Sequence, residues 1–275
     1  MSRELERWQL IERSIIKKFH KELWTPFITA VKQYQLIQAG DRIAVCVSGG
    51  ASSMLLAKLL QALHRHSDAP FKLAFLTIDP GRGALDRQSV EETAALLHVP
   101  VSILEADDAE PVDPGGEERR GARLHAGTLC RAAAQLGCNK IALGHHKNDV
   151  IETTVMSMFF GARLQAMLPK RHSAEVPGVE LIRPLYCVRE ADILAWARYH
   201  DLTFSPCACR FTEGSDAADG DAERREARAL LRTLRETNPG LENSIFRSIH
   251  AVALDTMPGY RTGGALHSFL ENYDE

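Results

Sequence analysis

Short apolar runs alternate with segments of helical periodicity across residues 42–160, and this alternation constrains the fold more than any other feature. The strand-like runs are RIAVCVS, FKLAFLTI, VPVSILEA and KIALGH. Helical periodicity covers about 53–65, 86–98, 122–137 and 148–160. Strands and helices that alternate at this spacing form parallel sheets covered on both faces. The sequence therefore predicts an α/β fold with a doubly wound parallel sheet of about five strands over residues 38–160, with RIAVCVS at its centre.

Helical segments are expected on both sides of this region. Residues 3–36 carry apolar side chains at amphipathic spacing, which predicts an N-terminal helix. Beyond residue 161 the alternation weakens, and helices are expected near 190–200 and 222–237. We therefore divide the chain into an N-terminal helical segment (1–37), an α/β domain (38–205) and a C-terminal helical extension (206–275).

The composition indicates a globular protein of the cytoplasm. Of the 275 residues, 45% are hydrophobic and 25% are charged, and the net charge of −3 gives no basic signature of nucleic-acid binding. No apolar run reaches the ~20 residues of a membrane-spanning helix, and the charged N-terminus lacks a secretory apolar core. The six cysteines form no disulfide pattern in so long a chain, which favours free thiols in a reducing compartment.

A glycine-containing loop joins the first strand to the first helix of the predicted sheet. Glycines at Gly49 and Gly50 admit a phosphate group close to the main chain, and the following helix start supplies free N–H groups. The hydroxyls of Ser48 and Ser53 are further donors. Neither G-x-x-x-x-G-K-[ST] nor G-x-G-x-x-G follows this strand. On this segment alone, a phosphate site and a plain turn capped by Ser53 are equally compatible with the sequence.

Several motifs in order extend this reading to a known family. The loop resembles the S-G-G-x-D-S loop of the PP-loop ATP pyrophosphatases, also called adenine nucleotide alpha hydrolases. The stretches KIALGHHKNDVIETTVMSMFFGARLQAMLPK, LIRPLYCVREADI and PCACR resemble the tRNA 2-thiocytidine synthetases and related tRNA thiolation enzymes. The similarity runs from about residue 8 to 210. It implies a Rossmann-like fold of the adenine nucleotide alpha hydrolase type that binds ATP and Mg²⁺.

The resemblance also implies a reaction and a set of site residues. Family members adenylate a carbonyl oxygen of a tRNA base and release pyrophosphate before sulfur displaces AMP. The adenine is expected near the end of the second strand, at 76–79. The residues implied in nucleotide binding are Ser48, Gly49, Gly50, Ser52, Ser53, Ile78, Gly144 and His145, and those implied in catalysis are Asp149 and Cys207.

The chain departs from the family at positions that carry the chemistry. Ala51 and Ser52 stand where the loop usually has a lysine for phosphate and an aspartate for magnesium. Asn148 replaces one acid of the usual G-H-H-x-D-D motif and leaves only Asp149. Because alanine and serine supply neither charge, we expect the protein to release pyrophosphate from ATP slowly or not at all.

The cysteine pattern predicts that no iron–sulfur cluster is bound. Glu118 and Gly121 align with the cysteines of the family's first C-x-x-C motif, and the second is shortened to Cys207-Ala208-Cys209. A four-iron cluster takes about four thiolates, or three with an open iron. Zinc at Cys207, Cys209, His145 and His146 is a minor alternative without a supporting second motif. No protein-bound metal site is therefore expected.

The charge distribution leaves the partner open. Residues 105–118 carry seven acids and residues 213–223 carry five, which weakens the case for tRNA. Basic residues could still contact tRNA phosphates; they are in the N-terminal helix and at Arg163, Lys170, Arg171 and Arg183. Three functions remain: an active tRNA sulfurtransferase, a catalytically impaired nucleotide-binding homologue, and an ATP-dependent enzyme acting on a small molecule. A homodimer is also considered.

Overall fold

The computed structural model describes residues 5–79, 84–105, 127–204 and 220–273. Two compact units are distinguished, residues 1–225 and residues 226–275. Within the described ranges, no helix combines the length and the apolar character needed to cross a membrane.

The first unit is built on a six-stranded, mostly parallel sheet. Its strands are β1 (Arg42–Cys46), β2 (Lys72–Asp79), β3 (Val101–Glu105), β4 (Lys140–Ala142), β5 (Lys170–His172) and β6 (Glu180–Ile182). Their order is β3-β2-β1-β4-β6-β5, and only the β5–β6 pair is antiparallel. The predicted α/β class and the central position of β1 are confirmed.

Helices connect the strands and cover the sheet. They are α3 (Ala51–His66), α4 (Ala84–Leu96), α5 (127–135), α6 (Lys147–Phe159) and α7 (Glu190–Tyr199). α3 follows β1 directly and is buried along most of its length, from Ser53 to Leu60. Because β1 and α3 are both enclosed, the turn that joins them is fixed at the carboxyl end of the sheet.

The N-terminal segment contains three helical pieces rather than the single helix expected from its periodicity. These are α1 (Arg7–Ile16), a π-helical turn (His20–Trp24) and α2 (Thr25–Gln33). Pro26 lies in the first turn of α2, where a missing N–H costs nothing, but a helix continuing through it would lose a hydrogen bond. The backbone changes register through bonds to the fifth preceding residue, as in Phe19 N–H to Ser14 O at 2.8 Å.

A buried ion pair fastens the N-terminal segment to α3. The side chain of Lys58 is fully buried, and its Nζ lies 3.0 Å from Glu12 Oε2. Nζ also donates to the carbonyl oxygen of Leu97 at 2.9 Å, and Arg65 pairs with the second oxygen of Glu12. Burial lowers the pKa of Lys58, whereas Glu12 opposes that shift.

The second unit contains the end of α8 (Gly220–Thr237), α9 (Leu241–Ser248) and a two-stranded hairpin, β7 (Gly259–Thr262) and β8 (Ala265–Ser268). Gly263 and Gly264 form the hairpin turn with positive φ angles of 55° and 84°. The helical character expected for the C-terminal extension therefore holds for α8 and α9, and a hairpin follows them. The domain boundary expected at residue 205 falls within 205–219, outside the described residues.

Candidate nucleotide-binding site

The loop between β1 and α3 has the geometry of an anion site. Gly49 has a φ of +81°, which glycine adopts without strain, and Gly50 precedes the first turn of α3 in an extended conformation. The first N–H groups of a helix have no partner within the helix and attract negative charge. The first turn of α3 carries no acidic side chain that would compete for them.

Hydrogen bonds from Ser53 hold this loop in shape. Ser53 Oγ accepts the backbone N–H and the hydroxyl of Ser48, both at 3.1 Å, and donates to Gly50 O at 2.9 Å. Ser53 is 4% exposed. Because its only proton is directed at Gly50, Ser53 organises the loop, and the more exposed Ser48 and Ser52 are better placed to meet a ligand.

Gly144 brings the second motif against the same loop. It follows β4, the neighbour of β1 in the sheet. A Cβ atom at Gly144 would lie 3.2 Å from Ser53 N and 3.3 Å from Ser53 Cα. The absence of a side chain at Gly144 therefore allows the end of β4 to pack on the first turn of α3, and the two motifs share one edge of the sheet.

A histidine and an aspartate begin α6 at this edge. The backbone N–H of His146 donates to Asp149 Oδ2 at 2.8 Å, and His146 Nδ1 lies 3.3 Å from the same oxygen. Burial alone raises the pKa of Asp149, but the facing His146 and His145, the His146 N–H and the Arg224 guanidinium together lower it. Asp149 is therefore a carboxylate at neutral pH, and it already serves to close the first turn of α6.

His145 carries a buried polar atom that is not satisfied within the described residues. Its Nδ1 atom is buried and has no hydrogen-bond partner among the described residues. Burial lowers the pKa of His145 to about 4, against the opposing attraction of Asp149, so the ring is neutral at pH 7. A neutral imidazole with an unused nitrogen is suited to a polar ligand rather than to a phosphate charge.

Comparison with known proteins agrees with this geometry. The PP-loop domain family, ATP_bind_3, matches residues 21–208. A tRNA-cytidine(32) 2-sulfurtransferase of Paracidovorax citrulli is 32% identical over 258 residues, which are 92% of this chain and 79% of that protein. The enzyme of the same name from Alkalilimnicola ehrlichii is 33% identical over 260 residues, or 93% and 79% of the two chains.

The chain belongs to the tRNA thiolation branch of the PP-loop family. Among solved structures, the U34-tRNA thiolase NcsA from Methanococcus maripaludis with its [4Fe-4S] cluster matches with a TM-score of 0.64. It is 18% identical, and the match covers 85% of this chain and 80% of that one. At this identity the likeness establishes the shared PP-loop fold.

The residues that depart from the PP-loop pattern have local roles in the structure. Asn148 Oδ1 accepts the backbone N–H of Glu190, the first residue of α7, at 3.0 Å. The amide therefore joins the starts of α6 and α7, a function that an aspartate would also perform. Ala51 and Ser52 occupy the first turn of α3, so the loop from Ser48 to Ser53 offers a magnesium ion no carboxylate.

An arginine beside this site was not identified from the sequence. Arg224 Nη1 of α8 lies 3.9 Å from Oε2 of Glu152, which is 4% exposed and sits on α6. Its charge contributes to lowering the pKa of both His145 and Asp149. The sequence placed Arg224 only in the helix expected near 222–237, and no local pattern indicated that it faces a buried glutamate.

Other predicted site residues lie in different surroundings. Ile78 is near the carboxyl end of β2, but its side chain is 5% exposed and belongs to the hydrophobic core. Arg183, considered above as a phosphate contact, is 2% exposed and donates to Leu168 O at 2.6 Å, so that expectation is wrong. Cys207 lies outside the described residues, as do Glu118, Gly121 and Cys209. The described residues contain no group of three or more His, Cys, Asp or Glu side chains suited to a metal.

Proposed function

We propose that this protein binds ATP at the PP loop and acts in the 2-thiolation of a cytidine in tRNA, adenylating the base before sulfur displaces AMP. One observation carries the proposal: the Ser48–Ser53 loop and the Gly144–Asp149 motif meet at one sheet edge in a chain whose relatives are named tRNA-cytidine 2-sulfurtransferases. Free thiols and a tRNA substrate are consistent with a cytoplasmic protein.

The described residues fit the nucleotide well. The amides of Gly49, Gly50 and the first turn of α3 receive the phosphates, and the hydroxyls of Ser48 and Ser52 are within the same loop. Magnesium, when bound with ATP, neutralises phosphate charge and takes most of its ligands from phosphates and water. Asp149 is the proposed carboxylate near it, and the neutral His145 offers Nδ1 to the nucleotide or the base.

The loop composition makes adenylation slow. A preorganised stabilising group typically contributes about 100- to 1000-fold in rate, and the loop carries neither the usual lysine nor the usual aspartate. The two missing groups act on the same phosphates, so their effects should not simply add. The second candidate, an impaired homologue in which ATP binds without turnover, rests on these two missing groups.

We further propose that sulfur transfer proceeds without a protein-bound iron–sulfur cluster. Cluster ligands are thiolates, but the side chains of Cys46, Cys130 and Cys138 are buried in the hydrophobic core. Burial raises the pKa of the Cys138 and Cys187 thiols, which disfavours the thiolate. Cys207 is the proposed reactive thiol. Anaerobic reconstitution should leave the protein without stoichiometric iron, and about four irons per chain would overturn this proposal.

Calorimetry with ATP, AMP and GTP tests the nucleotide site directly. We expect binding of the adenine nucleotides, and no binding of any of them would refute the proposed function. Pyrophosphate release is then measured with and without tRNA for the wild type and for the Ala51→Lys/Ser52→Asp double variant. The double variant should bind MgATP more tightly and release pyrophosphate faster. Rapid tRNA-dependent turnover by the wild type would show that Ser52 and Asp149 suffice.

A further inference from the structure

The end of α6 and its connection to β5 expose apolar side chains that the nucleotide site does not use. Five large apolar residues within eleven positions are between 41% and 61% exposed. They are Met158, Phe159, Phe160, Leu164 and Leu168. Together with the exposed Arg163 we call them the α6–β5 surface. Exposed apolar residues that are concentrated in one short segment indicate an interaction site.

Internal hydrogen bonds fix the backbone beneath this surface. Ser157 Oγ accepts the N–H of Gln165 at 3.1 Å, and the N–H of Arg163 donates to Ser157 O at 3.0 Å. At the other end, the Tyr186 hydroxyl donates to Met167 O at 2.9 Å. The buried Arg183 anchors Leu168 in the same way. A partner therefore meets a formed surface and does not have to order it.

The charge of this segment suits a polyanion. Residues 153–174 contain no aspartate or glutamate but include Arg163, Lys170 and Arg171, in a chain whose net charge is −3. Lys170 Nζ is 3.9 Å from Glu180 Oε1, so part of its charge is balanced from outside the segment. The segment remains positive overall, unlike the acidic stretches elsewhere in the sequence.

The chain that follows the α6–β5 surface returns to the sheet close to the strand that precedes Gly144. α6 has 13 residues, so its two ends are roughly 20 Å apart at 1.5 Å per residue. The connection returns to Lys170, which pairs with Ile182 of β6, and Ile182 in turn pairs with Ala142 of β4. Lys170 is thus two strand spacings, about 10 Å, from β4, the strand that Gly144 follows.

We propose that the α6–β5 surface binds unpaired tRNA nucleotides, with Phe159 and Phe160 stacking on bases and Arg163 and Lys170 contacting phosphates. Sequence-tolerant stacking on aromatic side chains beside a positive track is how proteins hold single-stranded RNA. The proposal rests on the tRNA function above and specifies which surface receives the substrate. A second copy of the chain fits less well, because a two-fold interface would bring Arg163 and Arg171 toward the same cations of the partner.

Binding of fluorescently labelled RNA to the full chain tests the proposal. The probes are a tRNA transcript, an RNA hairpin with an unpaired loop, and a blunt RNA duplex of equal charge. Phe159→Ala should weaken binding of the tRNA and the hairpin about 5- to 100-fold, as expected for the loss of one stacked base, and should affect the duplex little. Phe159→Tyr should restore binding. Leu136→Ala, at another exposed apolar residue, is the matched control and should change nothing.

Two further measurements separate the proposals from each other. Each variant is titrated with ATP, and its molecular mass is measured by light scattering. If the wild type binds ATP but no tRNA, the proposed tRNA function fails. If the wild type binds tRNA and Phe159→Ala binds equally well, the surface proposal is wrong and the tRNA function stands. If Phe159→Ala instead converts a dimer to a monomer without weakening RNA binding, a second copy occupies the surface and the proposal is overturned.

Discussion

Replacing Gly144 by alanine tests how closely the two halves of the nucleotide site must approach. The new Cβ would meet Ser53 N at 3.2 Å, Ser53 Cα at 3.3 Å and the carbonyl carbon of Ser52 at 3.4 Å. Carbon atoms are normally about 3.5–4.0 Å apart. All three neighbours are backbone atoms of α3, so none of them can rotate away, and β4 and α3 must separate by a few tenths of an ångström.

The cost follows from this overlap. Overpacking of this kind typically destabilises a protein by about 1–3 kcal/mol, or a fall in Tm of roughly 2–12 °C for a unit of this size. The displaced turn also supplies the amides proposed for the phosphates. Losing one hydrogen bond to a charged group costs about 1.5–3 kcal/mol, so ATP affinity should fall roughly 10- to 100-fold.

Thermal unfolding with and without MgATP measures both effects in one experiment. The Gly144→Ala protein should unfold at a lower temperature, and ATP should stabilise it less than the wild type. Gly240→Ala is a suitable control, because the added Cβ would meet only a side-chain oxygen of Asn238 at 3.4 Å. An unchanged Tm together with unchanged ATP affinity in Gly144→Ala would refute the close packing of β4 on α3.

Three further predictions concern buried polar groups. Glu12→Gln leaves the charge of Lys58 buried without its carboxylate partner, so the free energy of unfolding measured in urea should fall by about 3 kcal/mol. Glu22→Gln, at an exposed position, should change it by less than about 0.5 kcal/mol. Asn148→Asp should retain stability because it keeps the acceptor for Glu190, whereas Asn148→Leu should lose about 1–3 kcal/mol by the same assay. The pKa of His145 is about 4 in the folded protein and about 6.5 in the unfolded chain. The contribution of the neutral ring to the free energy of unfolding is therefore complete above pH 6.5 and is lost as the pH falls toward 4. His145→Gln should flatten the dependence of stability on pH in that window, and an unaltered slope would contradict the burial of the ring.

Strands and helices with a local hydrophobic pattern could be predicted from the sequence. β1 and β2 are long apolar runs, and the helices between the strands have amphipathic spacing, so their order could be read directly. β5 and β6 were missed because neither lies in an apolar run of the kind that marks the equally short β4: β5 reads Lys-Arg-His and β6 reads Glu-Leu-Ile. Such a strand exists only because of its pairing with a neighbour, which no local periodicity records.

Site residues divide in the same way. The convergence of Gly49 and Gly144 was predictable because parallel strands present their carboxyl ends at one edge. The burial of Arg183 was not, since its partner is the carbonyl oxygen of Leu168 on another part of the chain. Asn148 likewise depends on Glu190, a contact that is 42 residues distant in sequence. Long-range partners decide whether a polar residue faces a ligand or the core.

The position of β1 between β2 and β4 also determines when the nucleotide site can form during translation. β1 lies between β2 and β4, and Ile43 pairs with Lys140, which is translated long after it. At about 5–20 residues per second, the glycine loop leaves the ribosome roughly 5–20 s before Gly144 does. During that interval one side of the central strand has no partner, and an unpaired strand edge promotes association with other chains. The complete nucleotide site cannot form, and ATP cannot stabilise the nascent chain through it, until Gly144 has emerged.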